Sequence, residues 1–202
     1  MGDAGGTRQA ADMKQLVDDM VAYSVVLGDR APLAVEPFDL RELFDELVTA
    51  CRPGIEAKGL HLSTCFDAAV PTVLSNRIKV KQVALNLLSN ATKYTKAGEV
   101  ELAMGGHGDG GWFLRVADTG VGIASSDTDR IFDEFERAAG EDIPGVGLGL
   151  AIVKELCRVL DGRIHFETRQ GHGTTFEIRF PVQAEAPLDS QDVLGIVRVA
   201  SK

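Results

Sequence analysis

Cysteine is scarce in this 202-residue chain, and what there is does not pair: Cys51, Cys65 and Cys157 are odd in number and far apart. That spacing matches no metal motif and no disulfide framework, and it predicts reduced core thiols in a cytoplasmic protein. Long apolar runs are missing too. Nothing approaches the ~20 residues that span a bilayer, and no hydrophobic leader precedes the first charges, so the expectation is a soluble chain. Positive charge is in deficit: the formal net charge is −9 and the pI about 4.9. A nucleic acid or an anionic membrane is therefore disfavoured as the main partner. No Gly-Lys-Ser/Thr follows any glycine cluster, which excludes a Walker A loop.

What is present centres on Gln82-Val-Ala-Leu-Asn-Leu-Leu-Ser-Asn-Ala-Thr-Lys-Tyr-Thr95. Read as a helix, it stacks Asn86, Asn90 and Tyr94 on one face, four residues apart. Val83, Leu85, Leu87, Leu88 and Ala91 cover most of the remainder, so the polar stripe lies among residues that want burial. A buried amide without partners costs on the order of 1–3 kcal/mol. The stripe therefore asks for a polar ligand, a metal or an internal network.

Around this helix the chain reads in order. Met13, Leu16, Met20, Tyr23 and Leu27 are spaced three and four apart, the seam of a bundle helix within residues 8–28. The two prolines of 31–38 predict an extended connector. Asp39 caps an amphipathic helix carrying Leu40, Leu43, Phe44, Leu47 and Val48, ended by Gly59. Strands are expected at 60–66, 99–104, 112–117, 163–168 and 174–180, and helices at 77–94, 125–136 and from Ala151 to Leu160. On the 125–136 helix, Ile131, Phe132 and Phe135 would form the apolar side. Residues 193–199 read as an edge strand or the start of a further domain. Strands and helices alternate without strict βαβ regularity. The fold class is thus α/β: a two-layer sandwich with a mixed sheet, helices on one face, and one bundle helix in front.

The 22 glycines cluster where chemistry is expected. Gly145-Val-Gly-Leu-Gly-Leu150 opens directly into a helix, where orphan N–H groups and the helix dipole favour a phosphate. Asp118 leaves a strand into Thr119-Gly120-Val121-Gly122. A carboxylate there can accept from an exocyclic amine while the glycines let a ligand approach, or it can simply cap a turn. The amide oxygens of Asn86 and Asn90 suit a hard cation such as Mg²⁺.

Taken together and in order, these stretches resemble the sensor histidine kinases of two-component systems. Asn86-Leu-Leu-Ser-Asn90-Ala-Thr-Lys93-Tyr94 is similar to their N box, Asp118-Thr-Gly-Val-Gly122 to the G1 box and Ile131-Phe-Asp-Glu-Phe135 to the F box. Gly145-Val-Gly-Leu-Gly149 resembles the G2 box, and Gly171-His-Gly-Thr174-Thr-Phe176 the last glycine box. The resemblance covers roughly residues 16–181, because Gln15-Leu-Val-Asp-Asp-Met20 and Pro37-Phe-Asp-Leu40 look like the second dimerisation helix and the linker strand. It implies four regions: 1–30, part of the dimerisation region; 31–38, the linker strand; 39–183, the catalytic ATP-binding domain; and 184–202, a tail or a link to another domain.

The same resemblance implies the site. Asn90 would coordinate Mg²⁺, Lys93 and Arg137 would reach phosphates, and Tyr94 would pack along the nucleotide. Asp118 would bind the adenine amine, and Thr174 would bond near the base. Gly120, Gly122, Ile123, Gly145, Gly147, Leu148, Gly149 and Leu150 would line the nucleotide, with an ATP lid between Ile123 and Gly145. Asn86, Lys93 and Arg137 would carry catalysis. In the wider superfold of chaperone, topoisomerase and mismatch-repair ATPases, the comparison implies a Glu at the place of Asn86. An amide cannot act as a general base, so ATP would be held for transfer rather than hydrolysed.

The phosphoacceptor is missing. His61, His107, His165 and His172 lie outside any His-Glu/Asp-Leu-Arg-x-Pro stretch. The expected function is a protein-histidine kinase domain that binds ATP and Mg²⁺ but cannot phosphorylate itself. It would serve a histidine on a dimerisation helix of its own parent homodimer, for relay to a response regulator receiver domain. The parent could be membrane-anchored. The alternative is a silent nucleotide-binding or docking module of the same descent. A serine-directed relative is disfavoured by Pro32 to Leu40, which resembles the linker specific to sensor kinases.

Overall fold

A computed structural model describes residues 20–21, 24, 33–67, 72–108, 111–136, 147–181 and 194–199. Of the bundle-helix seam, only Met20 is described; it is helical and exposed, as are Val21 and Ser24. The other seam residues, and the whole of 1–19, lie outside the described residues.

Strand β1 (Glu36–Asp39) pairs antiparallel with β3 (Thr72–Ser75), so the second half of the extended connector is hydrogen-bonded to the body of the domain. Phe38, buried in β1, meets the ring of Trp112 edge-on at 6.5 Å, and Trp112 stacks on Phe180 at 4.2 Å. Aromatic pairs in these geometries add ~0.5–1.5 kcal/mol beyond their burial.

Asp39 caps helix α1 (Leu40–Ala57) as its sequence position predicts: its side chain accepts from the N–H groups of Arg41 at 2.7 Å and Glu42 at 3.1 Å. Leu40, Leu43, Phe44 and Leu47 form the buried face. The helix stops before Gly59, which adopts φ +76, and β2 (His61–Phe66) follows. Helix α2 (Arg77–Tyr94) carries the asparagine stripe and is capped by Asn76, whose side chain accepts from Lys79 N–H at 2.9 Å. Glu46 of α1 is held by Lys81 and by Arg77, the latter at 2.6 Å, which joins the two helices at their rim.

The main sheet has six strands in the order β2-β4-β5-β7-β6-β8, with β4 (Glu99–Gly106), β5 (Trp112–Asp118), β6 (Arg163–Arg169), β7 (Gly173–Phe180) and β8 (Leu194–Val199). The β2/β4 and β6/β8 pairs are parallel and the other three antiparallel, so the sheet is mixed. Residues 194–199 thus form an edge strand on β6. Alternation along β6 puts Ile164, Phe166 and Thr168 on the buried face and leaves Arg163, Glu167 and Arg169 exposed. Helices α1, α2 and α3 (Gly149–Val159) cover that face, giving the expected two-layer α/β sandwich.

Two expectations need correction. Residues 125–136 are a chain of turns, not an α-helix. Their bonds run mostly to the third residue back: Asp127 N–H to Ala124, Arg130 N–H to Asp127 and Asp133 N–H to Arg130, all at 2.9 Å. Short polar side chains divert the backbone there, as Thr128 Oγ1 donates to Ser125 O and Ser126 Oγ to Asp127. Ile131 and Phe132 are buried as expected, with Phe132 against Phe166 and Phe176 at 5.7 and 6.3 Å. Phe135, by contrast, is exposed and sits at φ 64, the left-handed region that ends the segment. The thiols also differ from a uniform core set: Cys157 is buried, Cys51 half-buried and Cys65 exposed. Burial pushes the Cys157 and Cys51 thiols up, away from the reactive thiolate.

Candidate functional site

Three loops and two helix ends converge at one end of the sheet. The foundation is the polar stripe of α2. Asn86 Nδ2 donates to Gln82 O at 2.9 Å, one turn back along its own helix, which fixes the amide and turns its Oδ1 outward. The N-terminus of α3 abuts that surface. A Cβ placed on Gly149 would lie 3.3 Å from Asn90 Nδ2, 3.4 Å from Asn90 Oδ1 and 3.7 Å from Asn86 Oδ1. Residues about sixty apart in sequence are therefore in contact, and only a glycine permits it at this distance without a neighbour giving way.

The cap position of α3 is Leu148, whose side chain makes no capping bond and whose backbone O accepts from Ile152 N–H at 2.9 Å. The first N–H groups of a helix have no partner within it and carry the positive end of its dipole; here they are those of Gly149, Leu150 and Ala151, at the end that Gly149 seats beside the asparagines. Amide oxygens beside a run of orphan N–H groups have the chemistry to hold a phosphate and the cation that accompanies it. The absence of a Cβ at Gly149 keeps that cradle open, so the residues present fit a Mg²⁺-bearing polyphosphate.

Asp118 ends β5 directly opposite Thr174 at the start of β7. Burial raises the pKa of its carboxyl, and backbone N–H groups of Gly120 and Thr174 pull the other way; the Gly120 bond is 2.8 Å. A half-buried carboxylate satisfied by backbone on one side keeps lone pairs for a donor on the other. The glycine loop that follows is held from both flanks. A Cβ on Gly120 would come within 2.5 Å of Tyr94 O, at the end of the asparagine helix, and Val121 N–H bonds that same carbonyl at 3.3 Å. Gly122, at φ 63, passes so close to the β6–β7 turn that a Cβ would be 2.1 Å from Arg169 O. Gly171 N–H closes the contact by bonding Val121 O at 2.7 Å.

Gly147, at φ 78, packs on the end of the turn segment, its Cβ position 2.6 Å from Glu136 O. Leu148 is buried, Leu150 half-buried and Ile123 buried. Lys93 extends its Nζ over the Tyr94 ring at 5.0 Å, on the flank of the stripe nearer α1. Arg137 and Gly145 lie outside the described residues, as does the rest of 137–146. Of the four histidines, His61 and His172 are exposed and His165 is half-buried, its pKa lowered first by burial. Among the described residues no helix is long and apolar enough to cross a membrane.

The sequence reading gave no role to two threonines that tie the site together. Thr119 Oγ1 accepts from Glu99 N–H at 3.0 Å and occupies the space left by Gly98. Thr168 is buried, and its hydroxyl accepts from Ile123 N–H at 2.9 Å. The parity of β6 could have revealed Thr168, as it shares the inward face with Ile164 and Phe166.

Comparison with known proteins agrees with this geometry. Residues 75–184 match the family described as histidine kinase-, DNA gyrase B-, and HSP90-like ATPases. The histidine protein kinase DivJ of Caulobacter vibrioides is 34% identical over 170 residues, which is 83% of this chain and 28% of that protein. The sensor histidine kinase RcsC of Escherichia coli is 31% identical over 186 residues, 90% of this chain and 20% of the relative. The chain therefore spans under a third of the curated relatives it resembles. Among solved structures, full-length ShkA in complex with AMPPNP aligns with a TM-score of 0.77 at 29% identity, over 90% of this chain and 38% of that one. The Acinetobacter baumannii histidine kinase AdeS aligns with a TM-score of 0.70 at 25% identity, over 90% of this chain and 86% of that one. An orphan helix N-terminus laid against an asparagine stripe, in a chain with these relatives, belongs to the ATP-binding domain of the sensor histidine kinase family.

Proposed function

We propose that this domain binds MgATP and delivers its terminal phosphoryl group to a histidine on a dimerisation helix of the parent protein, for relay to a response regulator. The observation that carries the reading is the seating of the α3 N-terminus on an amide pair, with Gly149 against Asn90 and Asn86. Where a hydrolysing ATPase needs a carboxylate to activate water, Asn86 spends its Nδ2 on Gln82 O and offers only a weakly basic amide oxygen. The site therefore binds, orients and neutralises, which is most of what phosphoryl transfer asks of a protein.

In this reading Asn90 holds Mg²⁺, and the N–H groups of Gly149, Leu150 and Ala151 cradle phosphate. Mg²⁺, when bound, supplies charge neutralisation on the phosphates. Lys93 and Arg137 add positive charge, and Tyr94 flanks the nucleotide. The Asp118 carboxylate accepts the adenine amine beside Thr174, with Gly120, Gly122 and Ile123 shaping the wall. Gly145, Gly147 and Leu148 border a lid over the phosphates, between Ile123 and Gly145. Residues 39–183 form the catalytic domain, 31–38 the linker strand, 1–30 part of the dimerisation region and 184–202 a tail or link.

The test is to mix the chain alone with γ-labelled ATP and Mg²⁺. The expected result is saturable ATP and ADP binding, no label on the chain, and ADP production near the uncatalysed rate. Label on this chain would refute the assignment of the acceptor to another segment. Rapid ADP release would refute the role given to Asn86.

A further inference from the structure

We infer that Thr168 is a positioning residue that sets the hydrogen-bond polarity of Thr174, and so makes the base pocket select a purine bearing an exocyclic amine over one bearing a carbonyl. The inference rests on the reading that Asp118 and Thr174 face the base. It concerns a residue outside every glycine and asparagine motif of the chain.

Three contacts meet at one buried hydroxyl. Thr168 Oγ1 lies 2.9 Å from Ile123 N, 3.2 Å from Gly173 O and 3.0 Å from Thr174 Oγ1. A hydroxyl has one proton to give and two lone pairs to receive. The Ile123 N–H can only donate and the Gly173 carbonyl can only accept. All three contacts are bonds in a single assignment: Thr168 donates to Gly173 O, accepts from Ile123 N–H, and accepts from the Thr174 hydroxyl. If the Thr168 proton turned toward Thr174 instead, the bond to Gly173 O would be lost. Thr168 and Thr174 are both buried, so water does not make up the difference, and the fully bonded arrangement wins.

The consequence falls on Thr174. Its proton is committed to Thr168, so Oγ1 presents lone pairs only. Its register partner is Asp118, whose carboxylate is likewise an acceptor. Two acceptors side by side complement the two N–H groups of an amine. They repel a carbonyl oxygen, which would face lone pairs with no donor between. A buried mismatch of that kind discriminates more strongly than a missing contact does. The same hydroxyl ties the end of the Asp118 loop, through Ile123, to the turn that supplies Thr174, so polarity and placement are set together.

Thr168→Val removes the hydroxyl at nearly constant shape and frees the Thr174 proton to turn toward the pocket and donate to a carbonyl. The experiment measures Kd for MgATP and MgGTP by calorimetry on the full chain, wild type and variant, with the emission of Trp112, the single tryptophan, reporting the fold. The expected result is wild-type preference for ATP by a hundredfold or more, reduced at least tenfold in Thr168→Val and retained in Thr168→Ser. Thr174→Val is expected to reduce the preference at least tenfold, the remainder resting on Asp118, and adding Thr168→Val to it to change the ratio no further. Equal weakening of both nucleotides in Thr168→Val, with the ratio intact, would overturn the inference and leave Thr168 a structural tie. Should Thr168→Val not fold, loss of the preference in folded Thr168→Ser overturns it equally. A wild type that binds MgATP no better than MgGTP would instead refute the base-facing role of Asp118 and Thr174, and the inference with it.

Discussion

Replacing Asp118 with asparagine separates binding from stability, and the structure fixes the sign of each. The carboxylate receives the backbone N–H of Gly120 at 2.8 Å and that of Thr174, and the ligand amine is the third donor in the proposed site. Asparagine keeps one acceptor oxygen and puts an NH₂ donor where the second stood. A charge-assisted bond of this kind contributes ~1.5–3 kcal/mol, equivalent to a roughly 10- to 140-fold rise in Kd for ATP. Stability moves the other way. Burial is the largest influence on this carboxyl and raises its pKa. A carboxyl raised in the native state favours folding below its unfolded pKa of about 3.9, and that favour is lost as pH rises through the native value. At neutral pH the ionised group therefore costs stability, and the neutral amide removes the cost. The nucleotide-free variant is expected to melt at or above the wild-type temperature while binding ATP weakly. The pH dependence follows from the same group: wild-type affinity falls as pH is lowered through the raised pKa, and the variant loses that fall. Calorimetry and thermal melts from neutral pH down to ~4.5 provide the check. Binding within twofold of wild type, or a clear loss of melting temperature without ligand, would refute the reasoning.

Two further outcomes test the site's construction. Asn90→Ala removes the amide that Gly149 packs against; it is expected to weaken MgATP binding at least tenfold while changing Mg²⁺-free ATP binding little, read from paired titrations. Gly122→Ala places a methyl 2.1 Å from Arg169 O at a positive φ; strain and overlap together are expected to cost about 2–4 kcal/mol, seen as a lowered denaturation midpoint at unchanged m-value.

Much of the site could be read from residue spacing because its parts are local. The asparagine helix runs Arg77–Tyr94, within the span its periodicity implies, because Asn76 caps it and the stripe is four-spaced. Asp39 does the same for α1. What spacing could not supply is the contact between Gly149 and Asn90, since two strands, β4 and β5, and the long segment after them separate the two residues in the chain. The turns at 125–136 misled for a physical reason: Ile131, Phe132 and Phe135 repeat like a helix, but the backbone bonds run mostly to the third residue back and the Thr128 hydroxyl takes up the Ser125 carbonyl. Pairing of β8 with β6 is parallel and distant in sequence, so no turn signal announces it. Thr168 was hidden differently: one hydroxyl on an otherwise apolar face resembles an ordinary strand threonine until its three partners are seen.

The central claim is transfer without hydrolysis, and one measurement meets it directly. A separately produced dimeric helical hairpin carrying the acceptor histidine of the parent kinase is mixed with this chain, γ-labelled ATP and Mg²⁺, and the label is followed on both proteins. The account predicts an acid-labile, base-stable phosphate on the hairpin alone, abolished when the acceptor histidine is replaced by glutamine. ATP that is bound tightly yet leaves the hairpin unlabelled would contradict it, and would make the domain a nucleotide-binding module rather than a kinase.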